Sequence, residues 1–333
     1  MTGRRRTPLG DDRGMALLVT IIIISLLIVV TFEFGRSMRQ HYLAAANLKS
    51  GEQLGAIARS GIAIASALLE QDGKDASFDT FLDGWATLEL TDFSGLFEEG
   101  GLKLSVIDLS GKVQINSLIA SGAIGTGTRE ILTNLLISGE FAVQDETEAR
   151  GIVDSLVDWL DTDDMELEFG AESSYYQLLS PGYACQNGPM NFIDDLLLVK
   201  GITRALFYGV EGKKALKDYV TVYGDDGKIN LNTAAPEVIQ ALNPQITREL
   251  AASLDEFRRQ KENQDLLSEA AAWYLNVPSW PGDVVIDAAS LTMASSYFSI
   301  VAEGSFDTMK RKVTAVIRRA QQGKIIELNR RVE

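Results

Sequence analysis

The sequence predicts an α+β fold: one long N-terminal helix, an antiparallel sheet, and a large, mainly helical insertion between the two parts of the sheet. Three observations lead there. Residues 15–32 are apolar and uncharged, and they run on without a proline into an amphipathic stretch ending near Glu70. Short β-branched or alternating segments lie at both ends of the remainder, at 102–107 and at 297–303, 311–318 and 325–332. The intervening stretch, roughly 117–290, is helical in pattern. Helices segregated from an antiparallel sheet are the α+β arrangement.

The N-terminal run would reach roughly 27 Å as a helix, about the thickness of a bilayer's hydrocarbon core. The cluster Arg4-Arg5-Arg6 ahead of it places the N-terminus in the cytoplasm and the bulk of the chain across the membrane. Glu33, Phe34, Gly35 and Arg36 follow, without the small-x-small site of a cleaved secretory signal. A plain signal anchor fits these facts. So does another reading, because Arg13 and Gly14 stand directly before Met15. That junction resembles the cleavage site of type IV prepilins and pseudopilins, in which a dedicated prepilin peptidase cuts after the glycine and leaves the apolar helix on the mature protein. Beyond the membrane, Leu54, Ile57, Gly61, Ile64, Ala65 and Leu68 fall on one helical face, so the helix is expected to continue until Asp72-Gly73.

Composition removes several functions. The net charge of −15 repels phosphate backbones and argues against nucleic acid as a partner. A single cysteine, Cys185, permits no internal disulfide and reads as a small buried hydrophobe. The single histidine, His41, lies just past the membrane run, which leaves no Ser-His-Asp triad and no histidine-rich metal site. No Walker loop or strand-linked dinucleotide fingerprint occurs. The chain is read as non-enzymatic, with no catalytic residue and no organic cofactor.

Within the exported part, Asp108 to Gly111 reads as a turn after the first strand, and the three C-terminal segments form a meander. Gly111-Lys-Val-Gln-Ile-Asn-Ser117 is echoed at Gly227-Lys-Ile-Asn-Leu-Asn-Thr233, suggesting two sub-units of the insertion. In each, Ser117 or Asn232 and Thr233 could cap a following helix, and Pro236 and Glu237 suit a first turn. The second copy also resembles the opening of helix-hairpin-helix DNA-binding domains. Asn243-Pro-Gln-Ile246 stands where those motifs carry a glycine hairpin, and residues 224–262 hold five basic against seven acidic side chains. A membrane-anchored protein for DNA binding or uptake is therefore the rival reading.

The densest polar patch holds Asp154, Asp158, Asp161, Asp163, Asp164, Glu166, Glu168 and Glu172. Alternating Asp161 and Asp163 with carboxylates downstream suits calcium, although no glycine follows at the position an EF-hand requires. A solvated acidic loop fits the same spacing.

Asp158-Trp-Leu-Asp161-Thr-Asp163, Gly170-Ala-Glu172-Ser-Ser-Tyr175-Tyr176, Leu196-Leu-Leu-Val-Lys-Gly-Ile-Thr203 and Ile229-Asn-Leu-Asn-Thr-Ala234 occur in that order behind the prepilin-like start. Together they resemble the minor pseudopilin K family of type II secretion systems. The resemblance implies a pilin-like α+β core carrying a helical insertion. It implies cleavage between Gly14 and Met15, and structural calcium with Asp161, Asp163 and Glu172 as candidate ligands. It also implies a place at the tip of the periplasmic pseudopilus, initiating and capping it with minor pseudopilins I and J and, through them, H and the major pseudopilin. Most pilins carry Glu at the fifth mature position; here it is Val19, as suits a subunit with none above it. The expected divisions are a leader at 1–14, the membrane and assembly helix at 15–72, the first part of the core at 73–116, the insertion at 117–290 (sub-units at about 117–223 and 224–290), and the last core strands at 291–333.

Overall fold

The computed structural model describes residues 12–91, 93–120, 123–268 and 272–333, so the arginine cluster of the expected leader lies outside the described residues. Helix α1 spans Asp12–Asp75, 64 residues without interruption. Residues 14–45 are exposed throughout, whereas Leu54, Ile57, Ala58, Ile62, Ala65 and Leu69 are buried. The same helix is therefore a free apolar rod in its first half and a packed element in its second. The buried stripe differs from the expected one: Leu68 is 40% exposed, and Ile62 and Leu69 take the inward positions. A sheet twists beneath a straight helix, so the stripe it covers drifts around the helix along its length.

In chain order there follow β1 (Gly101–Asp108), β2 (Val113–Gln114), β3 (Ile119–Ala120), β4 (Ala123–Ile124), α2 (Thr126–Ile137) and α3 (Glu146–Leu160). Next come α4 (Ser173–Gln177), α5 (Arg204–Tyr208), β5 (Val220–Thr221), β6 (Ile229–Asn230), α6 (Pro236–Ala241) and α7 (Arg248–Arg258). The chain closes with β7 (Leu291–Thr292), β8 (Tyr297–Phe306), β9 (Met309–Arg319) and β10 (Ile325–Val332).

Strands β1, β8, β9 and β10 form one antiparallel sheet in that order, the expected meander with β1 added along β8. Alternation does the sorting. Phe298, Ile300 and Ala302 of β8 and Val313, Ala315 and Ile317 of β9 face α1, joined by Leu102 and Leu104 of β1. At Gly304 the helix backbone comes so near that an added Cβ would lie 2.6 Å from the Leu54 carbonyl oxygen. The fold is α+β, with a long N-terminal helix on an antiparallel sheet and the remaining helices apart from it.

The insertion has its own core, and it departs from expectation in three ways. That core is continuous across the two anticipated sub-units, because α2 packs against both α3 and α6. Val113, Ile115, Leu291 and Met293 also belong to it, a few residues outside 117–290, since β2 pairs with β5 and β7 with β6. Both of these ladders are parallel, a feature that two-residue strands give no periodic signal for.

The expected caps are put to other uses. Ser117 donates to the Gln114 carbonyl and shares a hydrogen bond with Thr128, Thr233 donates to Asp108, and Asn232 donates to the Leu267 carbonyl. Helix α6 instead starts from Ala235 with Pro236 in its first turn. These side chains are buried, and they tie distant segments together rather than finishing a helix.

Candidate metal centre

Helix α3 is started by Asp145, whose carboxylate accepts from the Glu148 amide at 2.9 Å, and it ends at Asp161. Its inner face buries Ile152, Val153, Leu156, Val157 and Leu160. Asp154, Asp158 and Asp161 follow one another at helical spacing on an adjacent strip. Asp154 forms an ion pair with Arg129. Asp158, fully buried, accepts from the Leu167 amide at 3.2 Å with both carboxylate oxygens.

The loop after α3 then returns to bring Glu172 beside Asp158. The close approach depends on Gly170, where an added Cβ would overlap Asp158 Oδ2. Ligand oxygens of Asp158, Asp161 and Glu172 all lie within 4.8 Å of one another. Asp163, the third residue anticipated from the spacing, is exposed and accepts from the Met165 amide instead. The cluster thus holds two of the three candidates, Asp161 and Glu172, and adds Asp158. A residue one helical turn before Asp161, on a helix with a buried face, was the signal available for it.

Three carboxylates in such a space repel one another. Burial, then the charges of Asp158 and Asp161, push Glu172 up to about 7. Burial also raises Asp158 to about 6, against the pull of its amide donors, with Asp161 and Asp154 adding to the rise. Asp161 moves upward as well, through burial and then Asp163.

The hydrogen bonds leave a pointed deficit. Glu172 is 1% exposed, yet neither of its carboxylate oxygens meets a hydrogen-bond donor among the described residues. Asp161 Oδ1 and Asn187 Oδ1 are in the same condition. Asn187 adopts a left-handed backbone (φ 47°), and its amide nitrogen donates to the Asp163 carbonyl at 3.0 Å, which fixes it against this loop. The clustered carboxylate oxygens of Asp161 and Glu172, buried and without donors, are the kind of ligand a hard cation takes. Asn187, distant in sequence, carried no signal. Beneath the cluster Trp159 packs edge-on to Tyr176, with ring centroids 5.0 Å apart. Cys185 is buried beside them as expected, its thiol pushed up to about 12 by burial, and it donates to the Asp158 carbonyl at 3.6 Å.

Helices α6 and α7 do form a helical pair around 243–246, but the phosphate chemistry is missing. The Gln245 amide donates to Asn243 Oδ1 and the Ile246 amide to the Asn243 carbonyl. Arg258 is buried and donates to the Leu231 and Ala234 carbonyls, while Arg259 pairs with Asp255 and Arg248 with Glu140.

Residues 111–225 match the family model of type II secretion system protein K. The chain is 26% identical to type II secretion system protein K of Aeromonas hydrophila, covering 95% of this chain and 96% of that protein. It is 24% identical to the protein of the same name from Pseudomonas aeruginosa, covering 94% and 91% respectively. Among solved structures, one chain of the GspK-GspI-GspJ complex from the enterotoxigenic Escherichia coli type 2 secretion system shares the fold. The TM-score is 0.70 at 17% identity, over 87% of this chain and 99% of that one. The chain thus carries a match to the protein K family model within the insertion, and it is similar over nearly its whole length to proteins of that name.

Proposed function

We propose that the protein is a non-catalytic minor pseudopilin, anchored in the inner membrane by α1 and exposed to the periplasm, that initiates and caps a pseudopilus together with minor pseudopilins I and J. The observation that carries this reading is the near end-to-end likeness to K proteins, combined with a helix whose first half meets no other part of the chain. That half includes a single segment apolar enough to cross a membrane. The same surface would leave the bilayer and pack among neighbouring helices in the filament. Gly14 is exposed with no atom crowding it, so a peptidase cutting between Gly14 and Met15 would meet no obstruction. Val19 lacks the carboxylate by which a pilin pairs with the subunit above, consistent with a terminal position.

The test is co-purification of the full chain in detergent with candidate I and J partners. A stable ternary complex is expected, and failure to associate in any pairwise or ternary combination would sink the reading. The DNA-binding alternative is disfavoured by the engaged cations and internally bonded hairpin amides of α6 and α7. Tight, salt-dependent DNA binding at physiological ionic strength would revive it.

Within this function, calcium is assigned to Asp158, Asp161 and Glu172, with Asn187 Oδ1 as a further oxygen. The ion supplies positive charge where the fold gathers carboxylates, and so fixes the loop between Asp161 and Glu172 against α3. The chain's residues do the positioning: Gly170 admits the Asp158 carboxylate, and the Leu167 amide orients it.

A further inference from the structure

The face of the sheet opposite α1 is only partly covered by the insertion. Between them lies a cleft of about 480 Å³, within the range of ligand-binding pockets. Val220, Val222 and Val316 contribute its apolar surface. Phe192 stands at the same cleft, 56% exposed, an aromatic ring the fold leaves in water.

Charge is arranged around this cleft against the trend of the molecule. The chain carries −15 overall, yet Lys112, Lys217, Arg330 and Arg331 line the cleft against the single carboxylate of Asp194. Arg331 lies 3.9 Å from Asp194 and also pairs with Glu333, and Arg330 pairs with Glu327. Lys217 rests over the Tyr208 ring at 4.9 Å. Lys112 has neither an ion pair, a side-chain hydrogen bond nor an aromatic ring beneath it among the described residues. It is half-buried, and that desolvation lowers its pKa from the ordinary lysine value, while Asp218 and Asp108 act to raise it. An ammonium partly withdrawn from water and without an ion pair gains from an incoming anion.

The cleft also meets the open edge of the sheet. Strand β10 pairs with β9 alone, so among the described residues its other edge has no strand beside it. Asn329, Arg330 and Arg331 all line the cleft. Asn329 and Arg331 are paired with Val316 and Thr314, which line the cleft too, so the cleft runs from the face of the sheet out to its edge strand. An unpaired edge beside a pocket is the setting for strand addition, with main-chain hydrogen bonds supplying affinity and the pocket supplying selectivity.

We propose that this cleft takes an extended peptide segment of a partner protein, laid along β10, in which an apolar side chain packs over Val220, Val222 and Val316 and a neighbouring carboxylate reaches Lys112. Charge complementarity selects this occupant: a basic segment would meet four cations, and a purely polar one would leave Phe192 in water.

The test is fluorescence anisotropy on the full chain in detergent micelles with a labelled short peptide alternating valine and glutamate. Peptides alternating valine with lysine, and serine with glutamate, are the controls. The valine–glutamate peptide is expected to bind in preference to both. Lys112→Glu is expected to weaken it about tenfold, the scale of one charge-assisted contact. Arg331→Glu, on the exposed rim where folding is not at stake, is expected to weaken it in the same direction with an unchanged melting temperature. No binding by the wild type, equal binding of all three peptides, or full affinity in Arg331→Glu would overturn the proposal.

Discussion

Glu172 concentrates the chemistry of the metal centre. A carboxylate that is buried, surrounded by like charge and without donors opposes folding unless a cation or a proton neutralises it. Calcium at a hundredfold excess over its Kd should stabilise the full chain by about 2.7 kcal/mol, seen as a higher melting temperature. Glu172→Gln should raise the calcium-free melting temperature, by roughly 2 kcal/mol of relieved desolvation, and remove the calcium response. Asp163→Ala should leave that response in place, while Asp158→Asn should abolish it. A wild type whose melting temperature ignores calcium would dismiss the site.

Acidity adds a second check on the same residue. Folded Glu172 and Asp158 titrate near 7 and near 6, above the unfolded values of about 4. The calcium-free fold therefore takes up protons before the unfolded chain does. Its stability rises as pH falls through 7 to 6, and the gain from calcium shrinks across the same interval. A calcium increment that stays constant from pH 8 to pH 5 would contradict this assignment. Asp161 and Glu172 were legible because carboxylates at such density in a short segment are unusual. Asp158 and Asn187 were not singled out, because their place depends on how the loop closes over Gly170 and on a segment far along the chain.

At the scale of elements, α1 and the sheet were the most legible parts, each carrying its own periodicity. An apolar run that turns amphipathic, and strands that alternate, report their environment residue by residue. The short parallel ladders were hidden because two-residue strands have no period to read. The helix–sheet contact is tightest at Gly304, beneath the Leu54 carbonyl. Gly304→Val should push α1 off β8 and cost about 1–3 kcal/mol in urea unfolding. Gly282, where an added Cβ meets nothing, provides the control, and Gly282→Ala should be near neutral. Equal stability of the two variants would mean the helix can shift without loss.

At the scale of the whole molecule, the sheet and the insertion are fastened by one buried polar junction. Arg319 donates to Asp72 at 2.7 Å, to both oxygens of Asp79 at 2.5 Å and to the Ser295 carbonyl at 3.0 Å. Asp108, buried and raised above the usual carboxylate range by that burial, accepts from Ser295, from Thr233 at 2.5 Å and from the Ser110 amide at 2.7 Å. Asn230 of β6 completes it, donating to the Asp79 carbonyl at 3.3 Å and to Ser295 at 2.7 Å. Arg319→Ala would strand the buried Asp79 carboxylate and unpair the half-buried Asp72, and should cost about 3–5 kcal/mol. Arg319→Lys keeps the charge but loses the fork, and should recover only part of that loss. Wild-type stability in Arg319→Ala would show the junction to be incidental. Asp72, Asp108 and Thr233 were marked in the sequence only as helix end, turn and cap, and their meeting with Arg319 and Asp79 was not legible, because the partners lie up to 247 positions apart and no local pattern joins them.

The pairing of β1 with β8 sets an order of events in the life of the chain. Leu104 finds its partner only at Ala302, so the sheet cannot close until most of the chain has been made. The insertion, whose hydrophobic centre is complete by Met293, has every contact it needs before then. Long-range strand pairing is slow to form, and domains tend to fold as units during emergence. Pulse-labelled hydrogen exchange during refolding should accordingly protect α2 and α3 before β1. Until β8 arrives, the inner face of α1 and the first strand have only a chaperone or the bilayer surface for cover.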